Sequence, residues 1–248
     1  MGIRWIKHDN VTSTNLVVSE LLRHQKPKEA LVVIADYQEA GKGQGTNSWH
    51  SREGENLLMS LLLFPAFLSA SSQFHLSRVV SVSICEVLDL LGAAPVIKWP
   101  NDILTSRGKI AGILIEHGIS GGRISHTIAG IGLNLNQSEF PEFPQPATSL
   151  FLETGRKAGP QEVAEILVER IMSRYQELKE GYEQALEKEY LERLFLLGKR
   201  SQFEAAGVVF EGIIRGVSEF GELLVEREGE LVPYGHGEIA LNIAGQAQ

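Results

Sequence analysis

Two lysines, an asparagine and an aspartate lie within one short stretch of this chain, where they could together handle negative charge in a reaction. Lys98 precedes a Trp-Pro-Asn-Asp sequence that ends in Asn101 and Asp102, and Lys109 follows a few residues later. Fixed ammonium groups stabilise negative charge that develops in a transition state, and a neighbouring carboxylate can orient them. If the stretch folds back on itself in an even register, these four side chains meet at one strand end. The alternative is an ordinary hairpin whose polar side chains are only solvated.

The elements around these residues decide whether their side chains can meet. The stretch predicts two β-strands joined by a turn, with the strands at Val96–Trp99 and Ile110–Ile115 and the turn at Thr105–Gly108. If the connection closes as a four-residue loop, Leu104 faces Lys109, and Asp102 then lies diagonally across from Lys109 on the same face. A two-residue turn at Arg107 and Gly108 keeps this parity, whereas an odd-length loop destroys it.

Length and composition set the broad class of the protein. The 248 residues are 43% hydrophobic and 22% charged, which suits one large domain and a small one with an ordinary core. The net charge is -8 and no arginine-rich segment occurs, so the sequence does not favour a nucleic-acid partner. The first predicted strand starts at Ile3, which leaves no room for a DNA-reading helix-turn-helix. The single cysteine, Cys85, is expected to be a buried, reduced thiol.

No segment of the chain has the pattern of a membrane span or an export signal. The first residues lack the apolar core of a signal peptide, and the most apolar run, Leu57–Leu68, is shorter than the roughly 20 residues that a span needs. We therefore expect a soluble, cytoplasmic protein with no membrane partner. The histidines show no zinc-binding spacing, and the G-x-S-x-G sequence of serine hydrolases does not occur. Neither a protein-borne metal site nor a serine nucleophile is predicted.

Hydroxyl and amide side chains mark the start of the first predicted helix. Ser13 is in the capping position, and Thr14 and Asn15 open a helix that runs to about His24. Free backbone N–H groups at a helix start suit a carbonyl or carboxylate ligand. A binding site and simple helix capping both explain this pattern.

A glycine-rich loop follows the strand predicted at Leu31–Asp36. It combines alternating glycines with a lysine, glutamines and a tryptophan, at Gln38, Gly41, Lys42, Gly43, Gln44, Gly45 and Trp49. The loop matches neither the Walker sequence nor the dinucleotide-binding fingerprint. Glycines nevertheless let a backbone approach a phosphate closely, and a lysine adds positive charge. The loop is either a phosphate-binding lid or a flexible surface loop, in which a tryptophan would be unusual.

The remaining pattern predicts a sheet with helices, followed by a small all-β unit. In the first part we expect strands at Leu57–Phe64 and Arg123–Asn136 and helices at Gln73–Leu91, Pro160–Lys179 and Tyr182–Leu197. Beyond Gly198, short strands separated by turns replace the helices, at Gln202–Ala205, Val208–Val217, Leu223–Arg227, Glu230–Val232 and Ile239–Leu241. We therefore divide the chain into domains 1–197 and 198–248, the second a small β-barrel.

Five motifs of this chain resemble, in the same order, those of biotin protein ligases. They are VTSTN, the loop ADYQEAGKGQGTNSW, KWPND, the strand GKIAGIL and the GIGLN segment of residues 130–134. The resemblance runs through nearly the whole chain. It implies an α+β fold, in which a mixed β-sheet flanked by helices, as in class II aminoacyl-tRNA synthetases and lipoate ligases, is followed by an SH3-like β-barrel. It also implies a monofunctional ligase without a DNA-binding domain.

The reaction that this resemblance implies has two steps. With ATP and Mg²⁺, the carboxylate of biotin is joined to AMP, and biotinyl-5'-AMP then passes its acyl group to a lysine of a biotin carboxyl carrier protein, such as that of acetyl-CoA carboxylase. Lys109 would bridge the biotin carboxylate and the α-phosphate, with Asp102 as its catalytic partner. The implied biotin contacts are Ser13, Thr14, Asn15, Gln38, Lys42, Gly43, Gln44, Lys109 and Gly112. The implied nucleotide contacts are Lys42, Gln44, Trp49, Asn101, Asp102, Lys109 and Asn134. Family members often pair through the sheet, so a homodimer is expected by analogy.

The glycine-rich loop departs from the family pattern, because it carries one cation, Lys42, where biotin protein ligases have several arginines. We expect either weaker retention of the adenylate or a contribution from Arg52, which follows the tryptophan. Lipoate or octanoate ligases and transferases share the implied fold and acyl chemistry, but KWPND and the terminal barrel suit biotin ligases better. A non-catalytic biotin sensor or repressor is the other alternative, and the intact Lys109 argues against it.

Overall fold

The protein is built on two β-sheets, described over residues 3–241 in a computed structural model. The strands of the larger sheet are β1 (Arg4–Val11), β2 (Leu31–Gln38), β3 (Leu57–Leu63), β4 (Val96–Lys98), β5 (Asp102–Thr105), β6 (Gly108–Ser120) and β7 (Arg123–Leu133). Their spatial order is β1-β2-β3-β7-β6-β5-β4. β1 and β2 run parallel, and the other neighbours are antiparallel. The predicted mixed sheet is confirmed.

Helices cover both faces of this sheet. They are α1 (Thr14–Gln25), α2 (Phe74–Leu90), α3 (Leu150–Thr154), α4 (Pro160–Lys179) and α5 (Glu183–Glu192). On one face, Val18 of α1 packs against Leu31 and Val33 of β2. The alternate residues Val32 and Ile34 belong to the core under α2 and α4 on the other face. None of the helices within residues 3–241 is long and apolar enough to cross a membrane.

β3 lies in the middle of the larger sheet, between β2 and β7. All seven of its residues are buried, as expected of the strand predicted at Leu57–Phe64, which carries apolar residues on both faces. The strand includes one polar residue, Ser60, which is fully buried. A buried hydroxyl needs a hydrogen-bond partner, and those of Ser60 are part of the functional site.

The stretch from Val96 to Glu116 forms three strands, β4, β5 and β6, and not the predicted hairpin of two. The chain turns at Trp99–Asn101, where the Trp99–Pro100 peptide bond is cis, and again between β5 and β6. Trp99 therefore belongs to a turn and not to a strand. β5 was not predicted because its four residues are too few to show a reliable alternation of their own.

Two helix predictions also needed correction. The helix predicted over Tyr182–Leu197 ends earlier, since α5 covers Glu183–Glu192 and turns follow it. α3 was not predicted, because its five residues are too short for helical periodicity. Local bonds at its ends define it: Ser149 Oγ accepts the N–H of Leu152 at 3.2 Å, and Gly155 ends the helix with φ of 72°.

The smaller sheet follows at the C-terminal end of the described chain. Its strands are β8 (Arg200–Ala205), β9 (Val208–Val217), β10 (Leu223–Arg227), β11 (Glu230–Tyr234) and β12 (Ile239–Leu241). They follow the order β11-β10-β9-β8-β12 with antiparallel neighbours. Within residues 3–241 the outer strands β11 and β12 do not pair with each other, so the structure shows an antiparallel sheet without the closure of the expected barrel.

A buried arginine and a tryptophan connect the two sheets. Arg78 on α2 is 1% exposed, and its guanidinium donates to the carboxylate of Glu187 at 2.9 Å and to the carbonyl of Val217 at 3.3 Å. A buried cation requires such partners, because it loses its hydration. Trp99 Nε1 donates to the carbonyl of Gly221 at 2.9 Å. The turn that precedes β5 is therefore held against the smaller sheet.

Candidate active site

Most of the residues that the sequence singled out line one cavity of about 180 Å³. The cavity is formed by the start of α1, the end of β2, the glycine-rich loop, the start of β5 and facing parts of β6 and β7. Its wall includes Ser13, Thr14, Asn15, Gln38, Lys42, Gly43, Gln44, Trp49, Asn101, Asp102, Lys109 and Gly112. The fold thus brings motifs that are far apart in the chain to one place.

Lys109 and Asp102 form an ion pair at the wall of this cavity. Lys109 Nζ lies 2.5 Å from Asp102 Oδ1, and the two side chains are 29% and 17% exposed. Leu104 pairs with Lys109 across β5 and β6, as a four-residue loop predicted. A shift of register beside this pair places Asp102 opposite Gly112. An ammonium group has three donors, so Lys109 can hold a ligand while it contacts Asp102.

The backbone of Lys109 is fixed by the segment that leads to α3. Its N–H donates to the carbonyl of Pro146 at 2.8 Å, and its carbonyl accepts the N–H of Thr148 at 2.9 Å. Gly108 permits this close approach, because a Cβ there would lie 2.3 Å from the Pro146 carbonyl oxygen. Lys109 is therefore held through both its N–H and its carbonyl by one neighbouring segment, residues 146–148.

The other polar residues of the KWPND motif support the strands around the ion pair. Asn101 Nδ2 donates to the carbonyl of Ile113 at 2.8 Å, and the N–H of Ile113 donates to the carbonyl of Asn101 at 2.9 Å. Lys98 Nζ donates to Gln145 Oε1 at 2.5 Å. Burial lowers the pKa of Lys98, and the carboxylate of Asp102 offsets part of this effect. Lys98 lies near the pair but does not line the cavity.

A buried network of hydrogen bonds forms a second polar part of the cavity. Ser60 Oγ lies 2.7 Å from Thr14 Oγ1 and 2.5 Å from Asn15 Oδ1. Gln38 Oε1 accepts the Thr14 N–H at 2.8 Å and the Thr14 hydroxyl at 3.1 Å. Asn15 Nδ2 donates to the carboxylate of Glu116 at 2.7 Å. Because Thr14 occupies the oxygen of Gln38, the amide nitrogen of Gln38 is left to donate to a ligand.

This network and the ion pair lie at two positions along the same strand. Asn15 Nδ2 also lies 3.4 Å from the carbonyl of Leu114. The side chain of Lys109 reaches along β6 to Gly112, where a Cβ would lie 3.3 Å from its Nζ. Leu114 follows Gly112 by two residues, which is roughly 7 Å at a rise of about 3.3 Å per residue. Glycines and apolar side chains line the wall between them: Met59, Gly112, Ile113, Gly130, Ile131 and Gly132. The cavity therefore fits an elongated ligand with a polar group at each end and hydrocarbon between.

Trp49 anchors the glycine-rich loop on the floor of the cavity. Gly112 on β6 pairs with Gly132 on β7, and a Cβ on either residue would meet the indole, at 2.9 Å and 2.3 Å. The ring can lie this close to the strands because neither residue has a side chain. Lys109 Nζ is 5.6 Å from the ring centroid, within cation–π range. Trp49 Nε1 is buried and has no hydrogen-bond partner among the described residues.

The rest of the loop forms a small hairpin beside the cavity. The N–H of Gly43 donates to the carbonyl of Asn47 at 2.8 Å, and the N–H of Trp49 donates to the carbonyl of Gly41 at 2.8 Å. Lys42 is exposed and lines the cavity, so it is the cation that the loop brings to the site. The hairpin could close over a ligand while Trp49 stays anchored.

Like Lys98, two further residues named in the sequence analysis lie outside the cavity wall. Asn134 is 3% exposed, and its Nδ2 donates to the carbonyl of Thr148, so it supports the segment that fixes Lys109. The guanidinium of Arg52 donates to the carboxylate of Glu139 at 2.5 Å. Arg52 lines a neighbouring cleft, and the structure does not bring its charge into the cavity.

Sequence reasoning missed several residues of the site. The cavity wall also includes Asn47, Ser48, Met59, Ile113, Leu114, Ile131 and His236. A signal for Ser60 existed, because a serine interrupts an otherwise apolar, buried strand. For His236 no such signal existed in the sequence. It lies in the turn between β11 and β12 of the smaller sheet, and no local pattern indicates that this turn reaches the cavity. Within residues 3–241, no three His, Cys, Asp or Glu side chains cluster closely enough to hold a metal ion by themselves.

Comparison with known proteins agrees with this geometry. Residues 6–134 match the model of the biotin/lipoate A/B protein ligase family. The bifunctional ligase/repressor BirA of Bacillus subtilis (strain 168) is 34% identical over 233 residues, which are 91% of this chain and 70% of that protein. The biotin-acetyl-CoA-carboxylase ligase of Mycobacterium tuberculosis is 26% identical over 249 residues, 96% of this chain and 90% of that protein. The solved structure of a biotin protein ligase from Aquifex aeolicus in complex with biotin and ATP superposes with a TM-score of 0.79 at 28% identity, covering 96% of this chain and 98% of that chain.

Proposed function

This chain belongs to the biotin/lipoate A/B protein ligase family, and from that premise we propose how its cavity joins biotin to ATP and passes it on. The protein is an ATP-dependent biotin ligase: it forms biotinyl-5'-AMP and transfers the biotinyl group to a lysine of a biotin carboxyl carrier protein. The observation that carries the residue assignments is the arrangement of the cavity. A fixed ammonium group and a buried hydrogen-bonding network lie at separate ends of a glycine-lined wall.

Biotin has a ureido ring at one end and a carboxylate at the other, joined by hydrocarbon, which suits a cavity with two polar ends. We assign the ring to the network around Ser13, Thr14, Asn15 and Gln38. The free amide nitrogen of Gln38 would donate to the ureido oxygen, since its own oxygen is held by Thr14. The hydrocarbon would lie along Gly112 and its neighbours, with Gly43 and the rest of the loop above it.

The carboxylate would then reach Lys109, where the first step takes place. A carboxylate oxygen of biotin forms a bond to the α-phosphorus of ATP, the bond from that phosphorus to the bridging oxygen breaks, and pyrophosphate leaves with the electron pair. Two anions must approach each other, so a cation has to be fixed between them. Lys109 meets this need because its N–H and its carbonyl are both held by residues 146–148 and its ammonium faces the cavity. Lys42 and Gln44 would contact the adenylate from the loop, and Trp49 and Asn101 would flank the nucleotide.

Mg²⁺ belongs to this proposal through Asp102. Magnesium is usually bound by one or two carboxylates together with substrate phosphates and water. Asp102 contacts Lys109 through Oδ1, so its second oxygen could reach a metal ion that accompanies ATP. The bound ion would neutralise charge on the departing phosphates. Among the described residues that line the cavity, Asp102 is the only carboxylate, so ATP itself must supply most of the ligands.

In the second step, the amine of the carrier lysine attacks the acyl carbon of biotinyl-5'-AMP. The attacking amine is neutral, having lost its ammonium proton to water. A C–N bond forms, the bond from the acyl carbon to the phosphate oxygen breaks, AMP leaves with the electron pair, and the nitrogen loses a second proton to water to give the amide. The intermediate has to be shielded from water until then. The glycine-rich hairpin and Trp49 would provide this shield from the side of the loop.

Four further features belong to the same proposal and are supported by the family resemblance. They are the division of the chain into residues 1–197 and 198–248, the SH3-like closure of the smaller sheet, the pairing of two chains through the larger sheet and action in the cytoplasm. Asn134 would act by supporting the segment beside Lys109, since its amide donates to Thr148.

A lipoate ligase is the second candidate, and the hydrogen-bonding network distinguishes it. The dithiolane ring of lipoate has no carbonyl or N–H group, so it would leave the Gln38 amide and the groups around Thr14 without partners. Leaving a buried polar group unpaired costs about 1–3 kcal/mol. Biotin at about 100 times its dissociation constant should add roughly 2.7 kcal/mol of stability and raise the melting temperature, whereas lipoate should not.

The direct test is biotinylation of an apo carrier protein. The chain is incubated with biotin, ATP and Mg²⁺, and the carrier is then blotted for biotin. A carrier whose acceptor lysine is replaced by arginine and a reaction without ATP are the controls. Labelling of the intact carrier alone is the expected result. Stabilisation by lipoate but not by biotin, with no labelled carrier, would contradict the assignment.

A further inference from the structure

A second cavity adjoins the first and lies between the two sheets. Its volume is about 330 Å³, larger than that of the first. The two cavities share the wall residues Gln44, Asn101, Ile113, Leu114 and His236. The second cavity therefore opens towards the place where the acyl-adenylate would form.

The second cavity is built by contacts between the sheets. Trp99 contributes one wall, and the hydrogen bond from its Nε1 to the carbonyl of Gly221 ties it to the smaller sheet. Gly221 lies against Phe74 of α2, because a Cβ there would be 2.7 Å from the ring of Phe74. Phe220 and Glu222 flank Gly221 and also line the cavity. Phe220 is 57% exposed, which places it at the mouth.

The charge in this cavity is opposite to that in the first. Lys42 and Lys109 line the first cavity, whereas among the described residues that line the second there is no lysine or arginine. Glu222 carries the negative charge, and Ser218 Oγ donates to its Oε2 at 3.0 Å. Burial lowers the pKa of His117, which favours the neutral form of this ring. A triphosphate would find no counter-charge here, but a cation would.

We propose that the second cavity is the entrance through which the acceptor lysine of the carrier protein reaches the acyl-adenylate. The proposal rests on the ligase function given above. A lysine side chain is an ammonium group on a flexible four-carbon stem. The aromatic rings of Phe74, Trp99 and Phe220 can pack against such a stem and attract its charge. Glu222 attracts the ammonium group at the same place. The ammonium group then loses one proton to water, and the neutral amine goes on to the acyl carbon.

This route explains how the second step can avoid water. The lysine approaches from between the sheets, so the glycine-rich hairpin and Trp49 need not open to admit it. The acyl-adenylate stays covered on the side of the loop while the amine nitrogen reaches its acyl carbon beside Asn101 and His236. Phe220, at the mouth, provides an apolar contact for the surface of the carrier around its lysine.

Measuring the two half-reactions separately distinguishes a role in admitting the acceptor lysine from a role in adenylation. Adenylation is measured by biotin-dependent exchange of labelled pyrophosphate into ATP, and transfer is measured by adding apo carrier to the full-length enzyme loaded with biotinyl-5'-AMP. Glu222→Gln removes the charge but keeps an oxygen that can accept from Ser218. Glu222→Lys reverses the charge. Glu219→Gln is the matched control, because Glu219 is an exposed carboxylate of the same turn that does not line the cavity.

For Glu222→Gln we expect the KM for the carrier to rise about threefold to fivefold, the effect of one partly screened charge contact. Glu222→Lys should raise it further, and added salt should reduce the difference from wild type. The exchange rate and the KM for ATP should not change, which also shows that the variants fold. With free lysine as a small acceptor, the KM should again be lowest for wild type and highest for Glu222→Lys, because the effect arises within the cavity.

Two results would overturn the proposal. If the Glu222 variants alter the KM for ATP or pyrophosphate but not that for the carrier, the cavity holds phosphates. If neither half-reaction responds, or if Glu219→Gln has the same effect, the lysine takes another route. Failure of the wild-type chain to label any carrier would instead refute the ligase function itself.

Discussion

Replacing Lys109 by methionine should remove most of the adenylation activity. Methionine keeps the unbranched apolar stem and removes the ammonium group. That group lies 2.5 Å from Asp102 in a pair whose side chains are 29% and 17% exposed, so its charge acts where solvent screens it only in part. The bonds of Lys109 to Pro146 and Thr148 hold it in place before the reaction begins. Loss of one such preorganised donor raises the barrier by about 2.7–4 kcal/mol, which is about 100-fold to 1000-fold in kcat.

Pyrophosphate exchange at saturating biotin and ATP measures this effect. Lys7→Met is the matched control, because Lys7 is 57% exposed and pairs with Asp36 at 3.2 Å away from the cavity wall. An exposed pair of this kind contributes about 0.2–1 kcal/mol, so the control should keep its full catalytic rate. A folded Lys109→Met variant that loses less than about tenfold in exchange would refute the role of the ammonium group in the first step.

Four further predictions follow from individual contacts. Ser60→Ala should raise the KM for biotin by roughly fivefold to 100-fold with a smaller change in kcat, because the buried network loses a partner at a cost of about 1–3 kcal/mol. Gly132→Ala should speed release of the adenylate, since overpacking against Trp49 costs about 1–3 kcal/mol, and should have little further effect in a Trp49→Ala background. Arg52→Ala should change adenylate release by less than about fivefold, because this guanidinium is in an exposed pair outside the cavity. Burial raises the pKa of Cys85 to about 12, so the thiol stays protonated at pH 8 and iodoacetamide should not inactivate the native enzyme.

Contrary results would be specific to each contact. An unchanged KM for biotin in Ser60→Ala would show that the network does not orient the ligand. A Gly132→Ala effect that persists without Trp49 would place the indole elsewhere during catalysis. Fast release of the adenylate from Arg52→Ala would show that the Arg52 guanidinium does contact the nucleotide. Rapid alkylation of Cys85 in the folded enzyme would contradict its burial.

The sequence predicted those features that depend on neighbours in the chain. The pairing of Leu104 with Lys109 follows from the parity of a short loop, and the structure has it. The bounds of α4 were also predicted correctly, because proline marks the first turn and a long apolar stripe follows. β5 was missed, since four residues carry no clear period and the preceding turn looked like part of a strand.

Features that depend on contacts between distant segments were not predictable in this way. Ser60 meets Thr14 and Asn15 only after β3 and α1 have packed together, although an isolated serine in an apolar strand was a hint. His236 reaches the cavity because the smaller sheet packs on the turn at Trp99, and a single sequence contains no record of that packing. A contribution of Arg52 to the adenylate site was one of two alternatives suggested by its position in the chain, and the structure pairs it with Glu139 outside the cavity.

The buried guanidinium of Arg78 limits how this enzyme can be trimmed as a reagent for tagging proteins. A shortened form that stops before β8 would lose the Val217 acceptor of that cation and keep only Glu187, and it would uncover the core that packs on Phe203 and Val225, so the remainder should be less stable than the full chain. Split or circularly permuted versions should be opened at the surface turn of Gly121 and Gly122, where an added side chain would meet open space.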